Sequence, residues 1–389
     1  MDSDQHGPSA VTAWGRFAKA AVAYAVAGVV HLVTAGLFLT GRRLTVLGFR
    51  TFFQPWIGLL LLSMAFAMRP RPGRLDPDAP TVREADAPAL FALLHRTADI
   101  AGVRRVDAVQ FTPDFSVSVI HYGLRRRRCL VLGLPLWAAS PPQQRVAALT
   151  QALGLSAPRN VRDGAFVGTA LRSLTAGSRA VQEGEPSTTP PRINAVALGA
   201  AAVADGTRRF DARSRKSEWL LWIPRTALAS TARLLLWLTE PAARRAQFEA
   251  DDASARAASS QAALAALRDR RLARAVGVEM HRLAIEKRTI VRTHQPAAPQ
   301  EDLWDMLHAH AARLRAQDMP RPSGPDAPSA GPVSTGNGFC ALRIERLVRA
   351  PQCPAAITLD GPGLARIREE LRAPRQTVAQ QVLRDGVRL

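Results

Sequence analysis

The chain has 389 residues and 42.0 kDa, 47% of them hydrophobic and 22% charged, which excludes wholesale disorder and leaves length for about two or three domains. Its formal net charge is +20, and only Lys19, Lys216 and Lys287 are lysines, so arginine carries the excess; such a charge favours anionic partners without choosing between lipid headgroups and nucleic acid. The scattered Cys129, Cys340 and Cys353 exclude a disulfide framework and a Cys-x-x-Cys zinc ribbon, and point to a reducing compartment.

From Ala20 to Leu39 the chain runs without a formal charge. As a helix this stretch spans about 30 Å, the thickness of a bilayer's hydrocarbon core. It is longer than the apolar region of a cleavable signal peptide and reads as a retained anchor. After Thr40-Gly41-Arg42-Arg43, read as a turn, a second apolar run from Phe52 to Met68 completes a transmembrane hairpin over residues 1–68. Arg16 and Lys19 before the first run, and Arg69, Arg71 and Arg74 after the second, place both ends in the cytoplasm; Arg42 and Arg43 argue the other way.

A Pro/Arg linker at 69–81 leads to a body expected over 82–319. Leu90, Leu93 and Leu94 mark a helix. Val106–Thr112, Ser116–His121 and Cys129–Leu134 read as short strands of a small sheet with an accessible edge, Arg125–Arg128 forming a solvated turn between two of them. Helical periodicity follows over Pro142–Leu155 and Ala165–Leu174, then a loop at Gly184–Pro191. Trp219–Leu238 is long enough to span, but Pro224, Arg225 and Arg233 lie within it, so an interfacial or half-buried helix is expected. Arg244–Leu283 reads as helical, Pro320–Gly338 as a flexible loop, and residues 339–389 as a C-terminal helical part of the same domain.

Several segments in this order resemble the HtpX-like membrane zinc metallopeptidases of the gluzincin class, in particular bacterial members with an N-terminal membrane hairpin. They are Phe111-Thr112-Pro113-Asp114-Phe115, then Arg125–Arg128 and Leu130 to Trp137, then Gln143 to Leu149, then Gly164 to Arg172, and Arg245-Ala246-Gln247-Phe248-Glu249-Ala250-Asp251. The resemblance covers roughly 82–260 and implies an α+β, predominantly helical, gluzincin-like fold with a small sheet. In that family His-Glu-x-x-His places two zinc ligands on one helix face with a general-base glutamate between them, and a later Glu-x-x-Ala-Asp supplies the third ligand. Here Gln151 and Leu155 stand at the two histidine positions, Ala152 at the catalytic glutamate and Gln247 at the third ligand; Gly154 and Ala250-Asp251 persist. A carboxamide is a feeble zinc ligand, alanine moves no proton and leucine coordinates nothing. The later His-Pro motif is also missing at Ser334–Gly338.

Other chemistry finds no support. None of the eight histidines forms an i, i+4 pair; His308 and His310 read as surface residues, His121 as structural, and Glu249 enters the old site only if its helix shifts register. Neither a phosphate loop nor a Gly-x-Ser-x-Gly elbow is present. The expectation is a catalytically inactive metallopeptidase homologue, integral to the cytoplasmic membrane with its body facing the cytoplasm. It carries no catalytic residue and no metal, although active relatives hold zinc, and it binds or scaffolds polypeptides at the sheet edge. Two alternatives remain at this point: an active zinc endopeptidase with unconventional ligands, and a protein that binds anionic membranes or nucleic acid. Anionic lipid is a compatible partner, whereas 6% aromatic residues and no recognisable motif argue against nucleic acid.

Overall fold

The computed structural model describes residues 10–47, 53–68, 75–123, 125–157, 166–171, 173–174, 200–291, 302–317 and 335–385. It is 75% helical with one small mixed sheet. The loop expected at Gly184–Pro191, most of that at Pro320–Gly338 and the linker's first half lie outside the described residues. The chain divides into two compact units, one built from 1–71 and 159–244, the other from 72–158 and 245–389.

In the first unit, α1 (Ala10–Leu47) and α2 (Gln54–Met68) form the hairpin. The turn expected at Thr40–Arg43 is helical instead, and Gly41 serves there as a crossing point with α2. A Cβ built on Gly41 would lie 2.9 Å from the Leu62 nitrogen, and one on Gly58 would lie 2.9 Å from the Gly41 carbonyl oxygen, so the two backbones approach as only glycine permits. Ala18–Val46, with mean hydropathy 2.0, is the one helical stretch among the described residues long and apolar enough to cross a membrane. At 15 residues α2 falls short of the second span expected at Phe52–Met68. Val29, Leu32, Val33, Leu39, Trp56 and Leu60 are exposed on the hairpin, an apolar surface that water disfavours and lipid accepts.

Ala23, Ala27 and Val30 of α1 bury against a short helix α6 (residues 166–171) and against Leu228, Leu235 and Leu238 of α7 (Ala200–Ala258). His31 settles its polar ring in this apolar setting by bonding the Phe166 carbonyl at 3.1 Å and meeting the Thr169 hydroxyl at 3.3 Å. α7 runs unbroken through Pro224 and Pro241 for 59 residues. Its residues 226–239 lie along α1, with Lys19 Nζ 4.8 Å from the Trp237 ring, so the stretch expected as an interfacial or half-buried helix is a continuous part of α7.

The second unit holds β1 (Thr81–Val82), α3 (Pro88–Ala101), β2 (Ala108–Thr112), β3 (Val117–Tyr122) and β4 (Arg127–Gly133). After them come α4 (Leu134–Ala139), α5 (Pro142–Leu155), the end of α7, α8 (Ser260–Asp269) and α9 (Leu272–Val291). α10 (Asp302–Gln317), α11 (Thr335–Arg349), α12 (Gly361–Glu370) and α13 (Arg372–Asp385) complete it. α11 begins inside the loop expected at Pro320–Gly338, so the position of the missing His-Pro motif falls on its first turn.

Strand order is β1-β2-β4-β3, with β2 and β4 parallel and the other pairs antiparallel. Alternation puts Val109, Phe111, Leu130, Leu132, Val117 and Val119 on the core face. Gly133 lets the chain cross: a Cβ there would lie 1.8 Å from the Asp114 carbonyl oxygen. α3 starts at Ala87, which gives no side-chain cap; Glu370 of α12 supplies one by accepting from the Ala89 and Leu90 amides at 2.8 and 3.0 Å.

Arg128 corrects the expected solvated turn. It is 5% exposed, its amide donates to Asp107 at 2.8 Å, and its guanidinium donates to the Arg104 carbonyl and to Ser156, the C-cap of α5. Gly123, Arg125 and Arg126 lie in turns instead, with Gly123 and Arg126 at positive φ.

Candidate functional site

α5 forms where the periodicity places it, with Pro142 at its N-terminus and Val146, Leu149 and Leu153 in the core. Its far face meets α7. A Cβ on Gly154 would approach the Ala250 Cα and Cβ to 3.1 Å, and Ser254 donates to the Ala147 carbonyl at 2.9 Å. These contacts bring Gln151 and Asp251 together, 100 residues apart in sequence, and both are buried.

A chain of charge-assisted hydrogen bonds fills the crossing. Gln151 Nε2 donates to Asp251 Oδ1 at 2.6 Å. Arg343 of α11 donates to both oxygens of the same carboxylate, at 2.6 and 2.8 Å, in the planar two-point geometry that suits guanidinium and carboxylate. Arg270, just after α8, donates to Gln151 Oε1 at 2.7 Å. Burial, and then repulsion from Arg343, pulls the Arg270 guanidinium below its ordinary pKa, although the residue as a whole is exposed. Arg343 and Asp251 are 4% and 2% exposed, so their pair is fully desolvated.

The residues of the aligned motif separate in their fates. Gln151 is the hub of the network, and Ala152 is core packing at 5% exposure. Leu155, one turn beyond Gln151, is half-buried, as is Gln247, one turn before Asp251 on α7. Glu249 is exposed, so the register that directs Ala250 and Asp251 at α5 keeps it out. One neutral amide oxygen already bonded to a guanidinium, with alanine, leucine and a second glutamine beside it, does not fit a zinc ion. Among the described residues no group of three or more His, Cys, Asp or Glu side chains is placed to hold a metal.

Arg270 and Arg343 were invisible as site residues in the sequence. Nothing in an arginine-rich chain distinguishes them, and they reach the crossing from two other helices. The edge strand β3 lies against α5 in the same unit. Gly133 donates to the Ser116 carbonyl at 2.8 Å, which sets the pairing parity: Ser118 and Ile120 bond β4, while Val117 and Val119 turn their N–H and C=O groups to the open edge. No family model matches this chain, and neither the curated proteins nor the solved structures contain a significant match to it.

Proposed function

We propose that this chain is a membrane-anchored, catalytically inactive relative of the HtpX-like metallopeptidases that binds polypeptides along β3. The observation that carries the reading is the bonding of Gln151. A zinc-ligating histidine donates its second ring N–H to a carboxylate, which orients it toward the metal. Gln151 reproduces both halves of that arrangement: its Nε2 donates to Asp251 and its Oε1 accepts from a cation, the Arg270 guanidinium. Arginine supplies positive charge where the resemblance puts zinc, and the donor set offers no water-activating chemistry.

Chain connectivity agrees with the reading. Between Gln151 and Gln247 the chain passes through the other unit, where Val167, Ala170 and Leu174 and then Leu228, Leu235 and Leu238 pack on α1. Gln151 and Asp251 bond each other, so on this reading the chain between them returns to the side of the bilayer that it left. With the positive-inside bias, that side is the cytoplasm.

Peptide capture by strand addition needs an open edge with outward backbone groups. Val119→Pro tests it, because the Val119 amide does not bond β4; circular dichroism and thermal unfolding of the variant check that losing the Val119 side chain from the core face leaves the fold intact. Purified full chain should bind a permanently unfolded, carboxymethylated protein without cleaving it, and Val119→Pro should lose that binding. Cleavage products, or equal binding by the variant, would refute the proposal.

A further inference from the structure

Beside the Gln151 network, and in the same unit, lies an open cavity of about 600 Å³ walled by the end of α8 and by α11. Arg268, Arg270, Arg271 and Arg343 line it, and no carboxylate does. The two acids that border these arginines are engaged elsewhere. Asp269, between Arg268 and Arg270 in sequence, is held by Arg315 at 2.6 Å, and Asp251 is clamped by Arg343. Arg343 is thereby matched within the fold. Among the described residues neither Arg268 nor Arg270 pairs with a carboxylate, and the one side-chain hydrogen bond of Arg270 goes to the neutral Gln151 amide oxygen at 2.7 Å.

Water reaches Arg270, so its significance lies in how it is held. A surface arginine ordinarily loses rotamer freedom when a ligand fixes it. Here Gln151 holds Arg270, Asp251 holds Gln151 and Arg343 holds Asp251, so the guanidinium is oriented before any ligand arrives. That single bond leaves most of its donors open to the cavity, and a carboxylate matches an edge of a guanidinium with two parallel bonds. With Arg343 already matched, one oriented cation suits a singly charged carboxylate better than a doubly charged phosphate. Arg268, exposed at the rim, adds attraction that water screens. The neighbouring wall is apolar: Leu267 is 3% exposed, and Phe339 and Ile344 are half-buried. The volume lies within the roughly 300–1,000 Å³ of small-ligand sites, enough for a carboxylate and an adjoining apolar side chain.

We propose that this cavity takes a carboxylate of the bound polypeptide, held by Arg270 and attracted by Arg268, with an adjoining apolar side chain against Leu267, Phe339 and Ile344. The inference rests on the polypeptide-binding reading above and names what that polypeptide must carry.

Cys340 reports occupancy, because it lines the cavity and is half-buried, whereas Cys353 lies outside it. The full chain in zwitterionic detergent is alkylated at pH 8 with acetyl-Ala-Ala-Leu present, and the labelled cysteines are identified by mass spectrometry. The peptide with a free C-terminal carboxylate should slow labelling of Cys340 saturably and leave Cys353 unchanged. Its C-terminal amide should need a concentration about tenfold higher or more, the value of one charge-assisted hydrogen bond. Acetyl-Ala-Glu-Leu amide distinguishes the two sources of a carboxylate: protection equal to that by the free acid marks an acidic side chain, and protection no better than that by the plain amide marks a chain end. Arg270→Gln should abolish the advantage of the acid over the amide, while an unchanged labelling rate of Cys340 without peptide shows that the cavity survives. Arg270→Lys, which keeps the charge without the planar fork, should retain only part of that advantage. No protection of Cys340 by the acid in the native chain, equal protection by the acid and the plain amide, or a full advantage of the acid in Arg270→Gln would overturn the proposal. Any of these results, with binding of the unfolded protein still lost in Val119→Pro, removes the carboxylate site alone; equal binding by Val119→Pro removes the β3 reading instead.

Discussion

At the scale of single residues, the strongest constraint is Asp251. Its carboxylate takes bonds from Arg343 and Gln151 in a buried setting, so Asp251→Ala leaves the Arg343 charge without its counter-ion and should cost about 3–5 kcal/mol. Urea denaturation of the detergent-solubilised chain measures this, and a loss under about 1 kcal/mol would reduce the network to a surface contact. Cys129 gives a second residue-scale prediction, because burial pushes its thiol up to about 12 from 9.0. The unfolded thiol ionises first, so the unfolded state binds fewer protons between those values. The contribution of Cys129 to stability is then complete below about pH 9 and is lost as pH rises toward 12. At pH 8 an alkylating reagent should label Cys340 and Cys353, which are half-buried, while Cys129 reacts only on unfolding. Legibility at this scale was uneven: Gln151 could be singled out from the sequence, whereas its partners Arg270 and Arg343 depend on the tertiary path of α8 and α11. Arg128 was misread for the same reason, since a run of four arginines hides the one whose neighbours pull it inward.

Among elements, the crossing of α5 and α7 organises the second unit, and Gly154 sets its distance. A methyl group there already requires Ala250 to give way slightly, so Gly154→Leu should push the helices apart, break the Gln151 to Asp251 bond and cost about 1–3 kcal/mol by overpacking. Thermal unfolding checks the stability, and an unchanged midpoint would contradict the close approach. α5 itself was readable from its 3.6-residue periodicity, and the three longer strands from their apolar runs. β1 was not, because two residues carry no alternation and its pairing with β2 is a tertiary fact. α11 was misread at its start because Gly336 and Gly338 resemble a loop by composition, and packing of Arg343 and Leu347 holds the helix regardless.

For the whole molecule, the division into two units is discontinuous in sequence: the chain visits the first unit twice, and α7 contributes to both. The apolar exposure of α1 and α2 leads to the expectation that the chain stays with membranes after alkaline carbonate extraction and leaves them only with detergent; release by carbonate would remove the anchor from the account. On the proposed function, the α5 and α7 crossing is a metal-site scaffold in which a guanidinium has taken the cation's place. Zinc content, measured by elemental analysis of folded variants, tests it most directly. The set Gln151→His, Ala152→Glu, Leu155→His and Gln247→Glu restores the ligands but leaves Arg270 competing for the same point, and this variant should bind little zinc. Adding Arg270→Ser should give equimolar zinc while circular dichroism remains helical. A folded five-site variant that takes up no zinc would contradict the account.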